Sequence, residues 1–122
     1  GQDRRELLHT LPAVLSPADL AELQKAVGQV HAAEPLLDYV QELIAATRSG
    51  QWFAQGLSPR AGIAIMRAAQ AQALVQGRDY VAPDDLQAIF PICAAHRMTP
   101  ASTAGRGALE QARALLDAVP LP

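Results

Sequence analysis

A single cysteine, Cys93, stands among the 122 residues, so an internal disulfide is excluded. Within "IFPICAAHRM" it reads as a small buried apolar residue rather than as a nucleophile. An excess of positive charge is missing as well. Ten Lys and Arg against twelve Asp and Glu leave a formal charge of −2 with no basic block, and the footprint of a nucleic-acid binder is absent. No apolar run approaches the roughly 20 residues that span a bilayer. The opening "GQDRRELLHT" has no apolar signal core, so a cytoplasmic setting without membrane contact is expected. The chemical inventory is equally thin: there is no G-x-x-x-x-G-K-[ST] loop, no metal-ligand spacing among His9, His31 and His96, and no Ser/His/Asp set.

What is present suits an all-α domain. Half of the residues are hydrophobic, enough for a core in one compact domain over residues 1–122. In "LSPADLAELQKAVGQV", Ser16 is placed to cap and Pro17 to open a helix whose Leu20, Leu23 and Val27 share a face. "EPLLDYVQELIAATRSG" puts Leu36, Tyr39, Val40, Leu43, Ile44 and Thr47 at helical spacing and stops at Gly50. The intervening "VHAAE" suits a short extended piece, and "SGQWFAQG" a loop anchored by Trp52 and Phe53. A third and longest helix is expected from Ser58 or Pro59 to Val75, capped by Ser58, opened by Pro59 and ended by Gly77, with an alanine-rich face turned to the Leu36–Thr47 helix. "APDDLQAIFPICAAHRM" opens with Pro83, Asp84 and Asp85. Pro91 predicts a break near Phe90, followed by a second short helix through His96. "TPASTAGRG" reads as a loop. A last helix buries Leu109, Ala112, Leu115 and Leu116 and ends at Pro120. The expectation is a small bundle of five or six helices.

Arg60 is the residue that needs explaining. A cation at a helix start is unfavourable next to the positive end of the macrodipole unless an anion compensates, and that anion is either a neighbouring carboxylate or a ligand. Asp84 and Asp85 sit where helix capping accounts for them. His96 and Arg97 suit a helix C-terminus.

The phrases "DRRELL", "LSPADLAELQ", "LLDYVQELIAATR", "GLSPRAGIAIMRAAQAQALVQGRDYVAPDDLQAI", "HRM" and "AVPLP" follow one another in an order that closely resembles the C-terminal helical lid of MoxR-type AAA+ ATPases. The resemblance runs over nearly the whole chain. It is strongest from Gly56 to Leu86 and weakest from Thr99 to Gly107. The helical domain of magnesium-chelatase-type ATPases, which shares an S-x-R helix start and a late "HR", is the nearest alternative. A free-standing helical interaction module without nucleotide dependence is the other.

The resemblance implies that Arg60 is the sensor 2 arginine, reaching the terminal phosphate of ATP held with Mg2+ on a separate core, and that Ser58 and Pro59 support the helix that carries it. Arg67, seven residues on, lies on nearly the same face. It is a candidate for nucleotide or core contacts, though a salt bridge to Asp84 or Asp85 is the favoured reading. The resemblance further implies an excised lid with no catalytic residue of its own, cut from an ATPase that hydrolyses ATP in chaperone-like remodelling or metal insertion. Its partners are then its own AAA+ core, neighbouring subunits of a hexameric ring and von Willebrand A domain clients. Leu57 and Ala82 depart from the family pattern. Ala82 stands where a Thr often caps, which predicts a weaker start to the helix that follows.

Overall fold

Ser16 accepts a hydrogen bond from the Asp19 amide (3.1 Å), and the Asp19 carboxylate accepts one in return from the Ser16 amide (3.2 Å). This reciprocal box, with Pro17 behind it, starts the first helix in a computed structural model that describes residues 16–97 and 107–122. Five helices make up the described residues: α1 (Pro17–Gly28), α2 (Glu34–Thr47), α3 (Ala61–Val75), α4 (Pro83–Arg97) and α5 (Ala108–Ala118). No strand occurs among them. His31 and Tyr80 form an isolated parallel bridge, with the His31 amide donating to the Asp79 carbonyl and the Val81 amide donating to that of His31, both at 2.8 Å. The extended "VHAAE" segment thus pairs with the segment that leads into α4.

The core of α2 is where the periodicity puts it, whereas in α1 the expected inward face is only partly buried: Leu20 is 46% exposed, Leu23 and Val27 are half-buried, and Ala26 is the buried residue. Leu36, Tyr39, Val40, Leu43, Ile44 and Thr47 of α2 are all buried. α3 meets α2 through small residues: a Cβ added to Gly62 would lie 2.8 Å from Ile44 Cδ1, so the two helices touch almost backbone to side chain there. Ala61, Ala69 and Ala73 are buried too. α3 also packs against α4, and the most extensive helix contact joins α4 to α5. The loop after α2 is pinned as expected: Phe53 lies wholly in the core, and buried Gln111 of α5 donates to the Trp52 carbonyl (3.0 Å).

Gly77 ends α3 in the left-handed conformation (φ 78°). The amides of Gly77 and Arg78 return to the carbonyls of Leu74 and Ala73, both at 2.9 Å, completing a Schellman motif. Gly50, at φ 82°, follows the end of α2.

Three local expectations are overturned. α4 runs unbroken through Pro91. The ring removes one helical hydrogen bond and strains the preceding turn, a cost of about 3 kcal/mol. Burial of Phe90, Pro91 and Ala94 on a single face holds the helix together across that position. α3 begins at Ala61 rather than at Ser58 or Pro59, and no side chain caps it. In α5, Leu109 is 38% exposed while Gln111 is buried at 2%, because the bond to the Trp52 carbonyl draws Gln111 inward. Residues 99–106 of the "TPASTAGRG" loop lie outside those described, as does the opening "DRRELL".

Candidate functional site

The turn that carries Arg60 is made by the backbone. The Ala61 amide donates to the Ser58 carbonyl (3.0 Å), Gly62 to Pro59 (3.2 Å) and Ile63 to Arg60 (3.2 Å). These are i→i+3 bonds, the tight form common at helix starts. They occupy the amides of Ala61, Gly62 and Ile63, and the Ser58 hydroxyl, exposed beside Pro59, makes no capping bond. The Ser58 and Pro59 carbonyls accept from the first amides of α3, and neither side chain caps the helix.

Arg60 is exposed and pairs with no acid among the described residues. It sits at the position just before α3, with a helical backbone (φ −65°, ψ −29°) and the positive end of the helix behind it. Because the first amides are already taken, an anion at this point would be held by the guanidinium and the dipole. A planar fork of donors that is always charged suits a phosphate or carboxylate.

Arg67 follows along the same exposed face, with Ile63 (66% exposed) between the two arginines. Its expected salt bridge to Asp84 or Asp85 is not made. The guanidinium lies instead against the end of α1, where a Cβ on Gly28 would come within 2.8 Å of Nη1. The last carbonyls of a helix carry partial negative charge and suit a cation. Arg67 also lines a groove of about 300 Å³ with Gly28, Leu37, Val40, Gly62 and Ile63.

Asp85 is claimed by Arg78. Its two oxygens accept from Arg78 Nη1 and Nη2, both at 2.7 Å, and Oδ2 also accepts from the Ala82 amide (2.7 Å). The carboxylate therefore does the reaching-back half of a capping box at the start of α4, offsetting the missing hydroxyl at Ala82. The pairing raises the pKa of Arg78 further, the hydrogen bond to Asp85 being the main cause. Sequence reasoning found Asp85 as a capping residue and missed Arg78. The signal available was the glycine at 77, which ends α3 and turns the chain so that residue 78 faces the next helix start.

Cys93 is half-buried against the core, and burial pushes its thiol up, partly offset by the charge of Arg97. That is the environment of an inert thiol. Among the described residues no group of three or more His, Cys, Asp and Glu side chains is placed to hold a metal ion, and no helix is long and apolar enough to cross a membrane.

A family profile described as AAA lid domain matches residues 45–119, which include the Arg60 turn, α3, α4 and α5. The chain is 40% identical over 97 residues to the uncharacterized protein YeaC of Bacillus subtilis and 34% identical over 113 residues to the chaperone MoxR1 of Mycobacterium tuberculosis, with 80% of the chain covered in each case. It is 37% identical over 71 residues to the protein MoxR of Methylorubrum extorquens, covering 55% of the chain and 21% of that protein. It spans about 30% of the length of the first two. A crystal structure from Cytophaga hutchinsonii, of a protein assigned as an ATPase, superposes with a TM-score of 0.77 at 27% identity, over 86% of this chain and 36% of that one. The helical fold, the matched residues and these relatives agree: the chain belongs to the AAA lid domain family and is of the MoxR type.

Proposed function

We propose that the chain is the regulatory lid of a MoxR-type AAA+ ATPase and that Arg60 senses the terminal phosphate of ATP bound to a separate core. The observation that carries the reading is the state of Arg60: an exposed guanidinium, paired with no acid among the described residues, on a tight turn at the positive end of a helix. A neighbouring carboxylate was the competing explanation for a cation at this place; among the described residues none pairs with Arg60, and Asp85 is bound to Arg78. The residues fit the nucleotide in kind, since a planar cationic fork matches phosphate oxygens. ATP supplies the scissile phosphoanhydride and the charge that Arg60 meets. Arg60 binds and orients the terminal phosphate when the lid closes, and its charge opposes the negative charge that builds up during phosphoryl transfer.

The divalent ion that accompanies ATP would be held on the core. Lid closure would be passed to neighbouring subunits of a hexameric ring, and the work done would be chaperone-like remodelling or metal insertion, with von Willebrand A domain proteins among the clients. "Chaperone" in the name of the mycobacterial relative supports that direction.

The test is ATP turnover by the protein that joins this lid to its core. Arg60→Ala should lower turnover roughly ten- to a hundredfold, the loss of one charge-assisted contact made fully in the transition state. Arg60→Lys should recover only part of it, because the ammonium keeps the charge and loses the fork. Turnover at the unsubstituted rate in an Arg60→Ala protein of unchanged melting temperature would remove the sensor assignment.

A further inference from the structure

We infer that Thr47, at the C-terminal end of α2, is a positioning residue for Arg60. The inference rests on the sensor reading above and adds what holds the sensor in place. The Thr47 side chain is fully buried. Its hydroxyl donates to the Ile44 carbonyl (2.6 Å) and accepts from the Leu57 amide (3.0 Å). The first bond is the ordinary local one of a helical threonine. It also orients the oxygen: with its only proton spent on Ile44, Oγ1 can turn a lone pair toward Leu57. The second bond reaches a residue ten positions on and is the one hydrogen bond, among the described residues, that ties the segment 56–60 to α2.

Gly56 brings the chain close enough for that bond. A Cβ at Gly56 would lie 2.4 Å from the Thr47 carbonyl oxygen, 2.6 Å from its carbon and 2.7 Å from the Cα of Arg48, all backbone atoms that have no room to yield. The segment therefore crosses the end of α2 in direct backbone contact, as only a glycine permits. Leu57 then buries its side chain (4% exposed), and at the far side of the turn Ala61 is buried to the same degree. Between these two fixed points stand Ser58, Pro59 and Arg60, all exposed. Pro59 stiffens the middle, and the bond from the Ala61 amide to the Ser58 carbonyl closes the turn. Arg60 is thus mounted on a short, doubly anchored turn whose one side-chain tether among the described residues is Thr47. A long side chain meeting a phosphate loses most when its base shifts, because a displacement of about an ångström is enough to misalign reacting groups.

The experiment compares ATP turnover in the protein that joins this lid to its core, for the unsubstituted form, Thr47→Val, Thr47→Ser, Arg60→Ala and the Thr47→Val/Arg60→Ala pair. Thr47→Val should lower kcat by roughly three- to tenfold. Thr47→Ser should restore most of it, and Thr47→Val should have no further effect once Arg60 is Ala, since coupled residues are not additive. Thr47→Cys, alike in size to Thr47→Ser and a poor hydrogen-bond partner, supplies the same contrast if Thr47→Val does not fold. In the 122-residue chain, the Leu57 amide should exchange with solvent faster in Thr47→Val while amides in the middle of α3 are unchanged. An equal fall from Thr47→Val with and without Arg60 overturns the inference and leaves Thr47 a stabiliser of the fold. If Arg60→Ala itself leaves turnover intact, the sensor reading fails, and the positioning role goes with it.

Discussion

Arg78 grips both oxygens of Asp85 at 2.7 Å while Asp85 also receives the Ala82 amide, so one buried carboxylate joins the end of α3 to the start of α4. Asp85 is 2% exposed, and the Arg78 side chain keeps a quarter of its surface in solvent. Removing one member of such a pair strands the other. Arg78→Ala should lower the melting temperature more than Asp85→Asn does, because the first leaves a buried carboxylate without its counter-ion and the second leaves a neutral amide that still accepts from the backbone. Equal melting of both variants and the parent would show that the pair contributes nothing to the junction.

Gly56→Ala should destabilise the chain by about 1–3 kcal/mol, the usual cost of forcing atoms into a filled space. Gly107→Ser is the opposite case. Gly107 is the cap position of α5, has no side chain to offer and has open space around the site of a Cβ, with φ −73° and ψ 168° that serine adopts freely. A hydroxyl there should add about 0.5–1 kcal/mol. Chemical denaturation of the two variants reads both effects, and unchanged or higher stability in Gly56→Ala would contradict the close-approach argument at Gly56.

Ser58→Ala should change stability by less than about 0.5 kcal/mol. From the sequence, Ser58 looked like the cap of the longest helix, whose loss would cost about 1 kcal/mol. In the structure its hydroxyl makes no capping bond, and the Ala61 amide goes to the Ser58 carbonyl instead. A loss near the larger figure would show that the hydroxyl does cap α3 in solution.

The 122-residue chain alone should show no ATP hydrolysis and should bind ATP more weakly than micromolar. One arginine at a helix start makes a few charge-assisted bonds, each of about 1.5–3 kcal/mol at best and less in open solvent. Micromolar binding by calorimetry would point to a complete nucleotide site within these residues and against the lid reading.

Burial raises the Cys93 thiol, so the folded state prefers its protonated form. The contribution is fully present below the ordinary thiol pKa of about 8.5, where both states are protonated. It is lost as the pH rises through the folded value, because the unfolded chain ionises first. The difference in stability between the parent and Cys93→Ala should therefore shrink from pH 8 to pH 10, as read by denaturation at each pH. A constant difference would mean that the thiol is not shifted.

Much of this domain was legible in the sequence because it is encoded by neighbours. Ser16, Pro17 and Asp19 specify the start of α1 within one turn, Gly77 the end of α3, and the spacing of Leu36, Tyr39, Val40, Leu43, Ile44 and Thr47 the buried face of α2. Arg60 was legible as the residue to explain, through its place before a helix of 15 residues, as long as α4 and not longer as expected, and the resemblance of the phrase around it. What the sequence by itself determined is therefore the helices, apart from the break expected at Pro91, most of their inward faces and the lid family. The tertiary structure decided where local rules compete or where distant residues meet. Pro91 stays inside α4 because burial of its helix face outweighs the local penalty. Arg67 rests on Gly28, and Arg78 takes Asp85, because folding brings together atoms whose proximity no periodicity records. The tether from Thr47 to Leu57 and the glycine that lets the chain cross α2 belong to the same class: they depend on the path of a loop in space, and that path is settled by side chains packing from both ends of it.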